Sequence, residues 1–206
     1  MATTYEIRVC DSCGLRYPLV QGHPYGTRCP ACMGDTRIVL SRDLVSEPGH
    51  SLTPSGRRRF AVLMDNIRSA WNVGSIFRSA DGFGFAHAYL CGITPTPESE
   101  AVGKTSLGAE DSVPWSYHKD AVKLVRGLKK EGFAVWALEE DERAKEITVA
   151  EGESRDVVLI VGSEVTGVDP GLLDLCDQIL YIPMRGEKKS FNVAMAFSIA
   201  AFELSK

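Results

Sequence analysis

Residues 159–204 read LIVGSEVTGVDPGLLDLCDQILYIPMRGEKKSFNVAMAFSIAAFEL, and the alternation within them sets the architecture. The apolar run ending at Gly162 is short enough for a fully buried strand, and QILYIP (178–183) repeats that character. Between them, Pro170 sits at the first position of a short helix spanning about 169–175. A long apolar helix follows from Ser190 to Leu204. Polar residues (Glu164, Ser190, Asn192) stand where these segments end or begin, which is where open α/β sheets build ligand sites.

The same pattern extends toward the N-terminus. FAVLM (60–64), HAYLCG (87–92), FAVWAL (133–138) and DVVLIVG (156–162) are strands, with helices expected at about 71–83, 98–107 and 118–131. Strands separated by helices imply an α/β fold with a parallel sheet covered on both faces. Cys91 and Cys176 fall in apolar stretches and read as core thiols, and Trp71, Trp115 and Trp136 read as core residues. A dinucleotide fingerprint is excluded. Gly82 and Gly84 precede a strand instead of following one, and no third glycine completes the pattern.

Before Phe60 the character changes. Cys10, Cys13, Cys29 and Cys32 form Cys-x2-Cys, fifteen residues, then Cys-x2-Cys, a spacing suited to a structural metal site. Each pair is a tight turn aiming two thiolates at one point, and two turns complete a tetrahedron. A module of roughly forty residues has too little core to fold unaided, so metal would supply stability. Zinc is expected ahead of iron, with no open position for a substrate. The absence of a visible export signal argues against disulfides and for the cytoplasm. Flanking segments, 5–9 and 37–40, would supply ribbon strands. Pro48, Gly49, Pro54 and Gly56 mark a linker, giving a division into 1–40, 41–58 and 59–206.

Charge is unevenly spread over the 206 residues. Residues 1–59 carry 8 Lys/Arg against 5 Asp/Glu, and residues 60–206 carry 15 against 22. Any nucleic-acid contact is therefore expected through the N-terminal part, either as a clamp or with that part serving only dimerisation or folding. No run approaches the roughly 20 apolar residues of a membrane span.

Three segments carry a family resemblance: NVGSIFRSADGFG (72–84), GSEVTGV (162–168) and IPMRGEKKSFNVAMAFSIAAFEL (182–204). In order and spacing they resemble the three motifs of the SpoU (TrmH-like) branch of the SPOUT methyltransferases, over roughly residues 60–206. The resemblance implies a C-terminal deep trefoil knot, a homodimer, S-adenosylmethionine as cofactor, and tRNA or rRNA methylated on ribose 2′-oxygens. It also implies that Asn72, Arg78, Glu164, Ser190 and Asn192 form the catalytic site. Leu138, Glu139, Gly162, Glu164, Ile182, Met184 and Phe191 are then the candidate cofactor contacts. Where the family has Ser-Leu-Asn, this chain has Ser190-Phe191-Asn192. Ser190 is expected to cap the last helix while Asn192 turns to the site. The family arginine is often given as a general base, but a guanidinium rarely releases its proton, so Arg78 is read as holding a phosphate and lowering the hydroxyl pKa. The competing readings are an RNA-binding protein without catalysis and a base-directed methyltransferase.

Overall fold

The computed structural model describes residues 4–23, 26–44, 59–149, 154–188 and 190–205. The chain forms two compact units, Met1–Thr53 and Pro54–Lys206. Most of the expected linker, with Arg57 and Arg58, lies outside the described residues.

In the first unit, β1 (Thr4–Cys10) is the central strand of an antiparallel sheet, flanked by β2 (Arg16–Val20) and β3 (Thr36–Asp43). Of the flanking strands, β2 was not expected at all, because Pro18 interrupts its periodicity; on an edge, a proline's missing N–H costs nothing. The other, β3, runs three residues further than 37–40 suggested.

The second unit is a parallel seven-stranded sheet with helices on both faces, the α/β class expected from the sequence. In chain order its elements are β4 (Phe60–Asp65), α1 (Ala70–Gly82), β5 (His87–Cys91), α2 (Glu100–Ser106), α3 (Ala109–Ser112), β6 (Trp115–His118), α4 (Ala121–Lys130), β7 (Ala134–Leu138), β8 (Lys145–Glu146), β9 (Val157–Val161), α5 (Pro170–Leu173), β10 (Gln178–Tyr181) and α6 (Val193–Leu204). The strand order is β6-β5-β4-β9-β7-β10-β8. Alternate residues of each strand enter opposite cores, as a two-sided sheet requires. Met64, Leu90, Trp136, Leu159 and Leu180 face α1 and α6, while Leu63, Val135, Ile160 and Ile179 face α4 and α5.

Several expectations shift. The 118–131 helix starts at Ala121, because Trp115–His118 forms β6 and Asp120 caps α4 by accepting from the Lys123 N–H. The 98–107 helix is shorter and is followed by α3, because Leu107 and Gly108 are both left-handed, with φ of 53° and 91°. Trp136 is wholly buried and Trp115 packs against the core, but Trp71 is 65 % exposed, correcting its reading as a core residue. Burial pushes the thiols of Cys91 and Cys176 up to about 12, as inert core cysteines show.

Candidate functional site

The adjacent strands β9, β7 and β10 end side by side, and the loops leaving them enclose a cavity of about 380 Å³. From β7 come Leu138, Glu139 and Glu140; from β9, Gly162, Ser163, Glu164, Val165 and Gly167; from β10, Tyr181, Ile182 and Met184. The approach to α6 adds Ser190, Phe191 and Asn192. The cavity therefore brings together Leu138, Glu139, Gly162, Glu164, Ile182, Met184 and Phe191. Glu140, Ser163 and Tyr181 were not singled out in the sequence; their positions at strand ends were the available signal.

The loop after β9 is built by close backbone approach. Ser163 and Gly167 exchange N–H···O=C bonds of 3.1 and 2.9 Å. A Cβ on Gly162 would lie 2.2 Å from both the Gly167 carbonyl carbon and the Val168 nitrogen. Gly167 has φ +70°, and a Cβ there would meet the Glu139 carboxylate at 2.3 Å. That carboxylate accepts from the N–H of Val168 at 2.8 Å, tying β7 to the loop. Glycine is required at Gly162 by space, where the close atoms are backbone, and is favoured at Gly167 by its positive φ.

Glu164 reaches from this loop to the start of α1. Its Oε2 accepts from the Arg68 N–H (2.9 Å), and its Oε1 from the Ser69 N–H (3.1 Å) and Asn72 Nδ2 (2.7 Å). Burial alone would raise its pKa. The N–H of Arg68, the Asn72 amide and the Ser69 N–H outweigh burial and hold the carboxyl below its ordinary value. A carboxylate at a helix N-terminus is also favoured by the helix dipole.

The contact orients Asn72. An ionised carboxylate only accepts, so Asn72 presents its NH₂ to Glu164 and turns its Oδ1 to Asn192 Nδ2, 3.0 Å away. Asn192 is fixed in turn, because its Oδ1 accepts from the N–H groups of Ala194 (3.0 Å) and Met195 (3.4 Å). Asn192, not Ser190, is therefore the N-cap of α6, and it does this while facing the site. Asn192 does both at once because its one oxygen accepts from the helix N–H groups while its NH₂ donates to Asn72. Ser69, immediately before the helix, caps α1 by accepting from the Asn72 N–H at 3.3 Å. Polar residue before periodic run was the signal that would have found it.

Arg78 stands apart. It lies exposed on α1 and borders a second cavity of about 410 Å³ with Asp81, Ser106, Gly108 and Ser112. Within one chain it does not line the first cavity. Six residues beyond Asn72, it is turned well round the helix from that side chain.

In the first unit, the four sulfurs of Cys10, Cys13, Cys29 and Cys32 all lie within 4.8 Å of one another. Two of the separations are 3.5 Å (Cys10–Cys32) and 3.6 Å (Cys13–Cys29). Tetrahedral zinc–thiolate bonds of about 2.3 Å place sulfurs roughly 3.8 Å apart, so the cluster fits such an ion. The N–H of Cys13 points at the Cys10 sulfur (3.4 Å), and this hydrogen bond leads the causes that lower that thiol to about 6. The cluster could hold a metal.

Comparison with known proteins gives consistent results. The profile described as the SpoU rRNA Methylase family matches residues 59–202. A "tRNA (guanosine(18)-2'-O)-methyltransferase" of Thermus thermophilus is 30% identical over 153 residues, covering 73% of this chain and 77% of that protein. A "23S rRNA (guanosine(2553)-2'-O)-methyltransferase" of Bacillus subtilis is 31% identical over 148 residues, covering 71% of this chain and 58% of the relative. An AdoMet-bound rRNA methyltransferase from Sinorhizobium meliloti superposes with a TM-score of 0.67 at 27% identity. There the match spans 70% of this chain and 55% of the other, so it covers little more than half of that protein.

Proposed function

Because the chain belongs to the SpoU rRNA methylase family, we propose that it is an S-adenosylmethionine-dependent RNA methyltransferase acting on a ribose 2′-hydroxyl of tRNA or rRNA. The observation that carries this reading is the Glu164–Asn72–Asn192 relay at the rim of a cavity formed by three strand ends. The 2′-O-methyltransferase names of the relatives and the AdoMet-bound neighbour support it. The cofactor supplies a methyl group on a positively charged sulfur.

The cavity suits such a ligand. Leu138, Ile182, Met184 and Phe191 offer apolar walls for a purine, and glycine turns admit close backbone contact. Glu139, Glu140 and Glu164 make the lining negative, which favours a cationic donor. In this reading the C-terminal segment is threaded as a trefoil knot around the cofactor. In the reaction the 2′-oxygen bonds to the methyl carbon, the carbon–sulfur bond breaks with its pair left on sulfur, and the hydroxyl proton passes to solvent. Most of the catalysis is positioning. Asn72 and Asn192, locked by Glu164 and by the α6 cap, hold polar atoms at fixed places beside the cavity.

In this reading the phosphate-holding arginine is supplied by a second copy. On α6, Met195, Ile199 and Phe202 are 59, 37 and 55 % exposed and recur at i, i+4 and i+7, an apolar stripe suited to a homodimer. Arg78 of the partner subunit then holds an RNA phosphate and stabilises charge developing on the 2′-oxygen. The four cysteines hold structural zinc, and the division 1–40, 41–58 and 59–206 separates this module from the catalytic domain. No helix among the described residues is long and apolar enough to cross a membrane; the site of action is the cytoplasm, with the RNA.

The test is incubation with unmodified tRNA and rRNA and methyl-labelled cofactor, followed by digestion to nucleosides. Label in 2′-O-methylnucleosides supports the reading. Label on a base makes the enzyme base-directed, and cofactor binding without transfer to any RNA overturns catalysis.

A further inference from the structure

The register of the N-terminal sheet sorts its side chains. Residues directly opposite in antiparallel strands share a face. Val9 is opposite Arg16 and Arg37, Ile7 is opposite Pro18 and Leu40, and Tyr5 is opposite Val20 and Arg42. These three rows form one face, with half-buried Tyr5, Ile7 and Val9 along its centre and every edge-strand member exposed. That face carries three arginines and no carboxylate. The acids of the strands, Glu6 and Asp43, share the other face, where Glu6 pairs with Arg8. Arg37 is held by Asp11, Nε to Oδ1 3.2 Å. No ion pair to a described residue ties down Arg16 or Arg42.

We infer that this face is an RNA platform, on which Arg16, Arg37 and Arg42 grip phosphates while Tyr5 and its aliphatic neighbours receive an unstacked base. The inference rests on the RNA reading given above. Charge complementarity selects the occupant. A polyanion with flat apolar bases matches arginines set around an aromatic and aliphatic centre. A second copy packed face to face about a two-fold axis would set arginines against arginines. The catalytic unit, with 22 acidic against 15 basic residues from 60 to 206, gains from this source RNA affinity in addition to the phosphate contact of Arg78.

The experiment uses the full, metal-loaded chain and a labelled mixed-sequence 12-nucleotide RNA, titrated by fluorescence anisotropy across a salt series. Arg16→Gln/Arg42→Gln is compared with the wild type and with Lys123→Gln, an exposed cation on α4. For single strands each phosphate contact contributes about 0.7 to the log–log salt slope, so the double variant lowers that slope by about 1.4 and weakens binding roughly 20-fold near 0.1 M salt. Lys123→Gln changes neither, and metal content and cofactor affinity stay at the wild-type value in all three. Ultraviolet cross-linking places the RNA on the peptide containing Tyr5. Wild-type affinity and slope in the double variant, or cross-links confined to the catalytic unit, overturn the platform. So does a change of oligomeric state in the double variant, which would make the face an interface between copies. If the wild type binds no RNA at any salt, it is the RNA methyltransferase reading that fails.

Discussion

Glu164→Gln is the sharpest probe of the relay. The carboxylate accepts three hydrogen bonds, two at Oε1 and one at Oε2. A glutamine oxygen placed at Oε1 keeps Ser69 and Asn72 as neutral partners, but its NH₂ then faces the Arg68 N–H, donor against donor. The opposite flip is worse, with NH₂ facing both Ser69 N–H and Asn72 NH₂. The variant therefore loses one hydrogen bond and the charge on two others. Bonds to charged groups contribute about 1.5–3 kcal/mol and neutral ones about 0.5–1.5 kcal/mol. Because Glu164 is exposed, water can satisfy the Arg68 N–H, and the net loss is set at about 1–2 kcal/mol. For a chain of this size that is a fall in Tm of roughly 3–6 °C. Turnover falls further, since a neutral amide oxygen holds the Asn72 NH₂ less firmly than the carboxylate does, and the acceptor that Asn72 offers to Asn192 is less well fixed. The pH dependence gives a second reading. The folded pKa of Glu164 lies below its unfolded value, so its stabilisation is present above the unfolded pKa and is lost as pH falls through the folded one. Glu164→Gln lacks that component, so the difference between the two proteins shrinks on acidification. A variant with wild-type melting and turnover, or a gap that widens as pH falls, refutes the anchoring role.

Gly162→Ala drives a Cβ into backbone atoms 2.2 Å away that cannot step aside, so we expect a loss of more than about 2 kcal/mol and no detectable cofactor binding by calorimetry. Asn192→Ala removes the α6 cap, a cost of about 0.5–2 kcal/mol in chemical denaturation, whereas Asn192→Asp keeps the cap but cannot donate to Asn72, so it retains most of the stability and still loses kcat. Removing metal with a chelator unfolds the N-terminal sheet, seen as lost amide protection over residues 4–43, while cofactor affinity is retained. His87 has its pKa lowered by burial and then by the charge of His118, so it stabilises the neutral fold above about pH 6.5 and that contribution disappears on acidification. His87→Gln should flatten the stability profile between pH 7 and 5.

The parallel sheet was legible because its strands are buried on both faces and read as unbroken apolar runs. Val157–Val161 and Phe60–Asp65 have almost no polar residue to confuse their period. The strands that escaped notice are those at edges. Trp115–His118 mixes polar and aromatic residues because only one side is paired, and Lys145–Glu146 is too short to carry a pattern. Trp71 misled for a different reason: an aromatic on the first turn of a helix has no periodic neighbour to say which way it faces. Ser190 and Asn192 are equally good capping types, two residues apart, and only the backbone turn into α6 distinguishes them. Arg78 could be placed on its helix from the sequence, but its separation from Asn72 round that helix becomes plain only once Asn72 is seen pointing at Glu164.

What the sequence could not display is why residues 92 and 120 positions apart touch. The strand order supplies the reason. Because β9 lies against β4, the loop leaving β9 with Glu164 and the segment leaving β4 with Asn72 emerge side by side at the same sheet edge. Because α6 packs along α1, with Ser79 and Ser198 hydroxyls 2.7 Å apart further down, its first residue is delivered next to Asn72 as well. Two independent contacts, one between strands and one between helices, thus converge on a single amide. Loosening either should misplace Asn72 without touching it. Ser198→Val, half-buried against α1 and outside the cavity lining, tests this: it should lower kcat while leaving cofactor affinity near the wild-type value. Unchanged kcat in a variant whose melting temperature has fallen would show that helix packing plays no part in setting the relay.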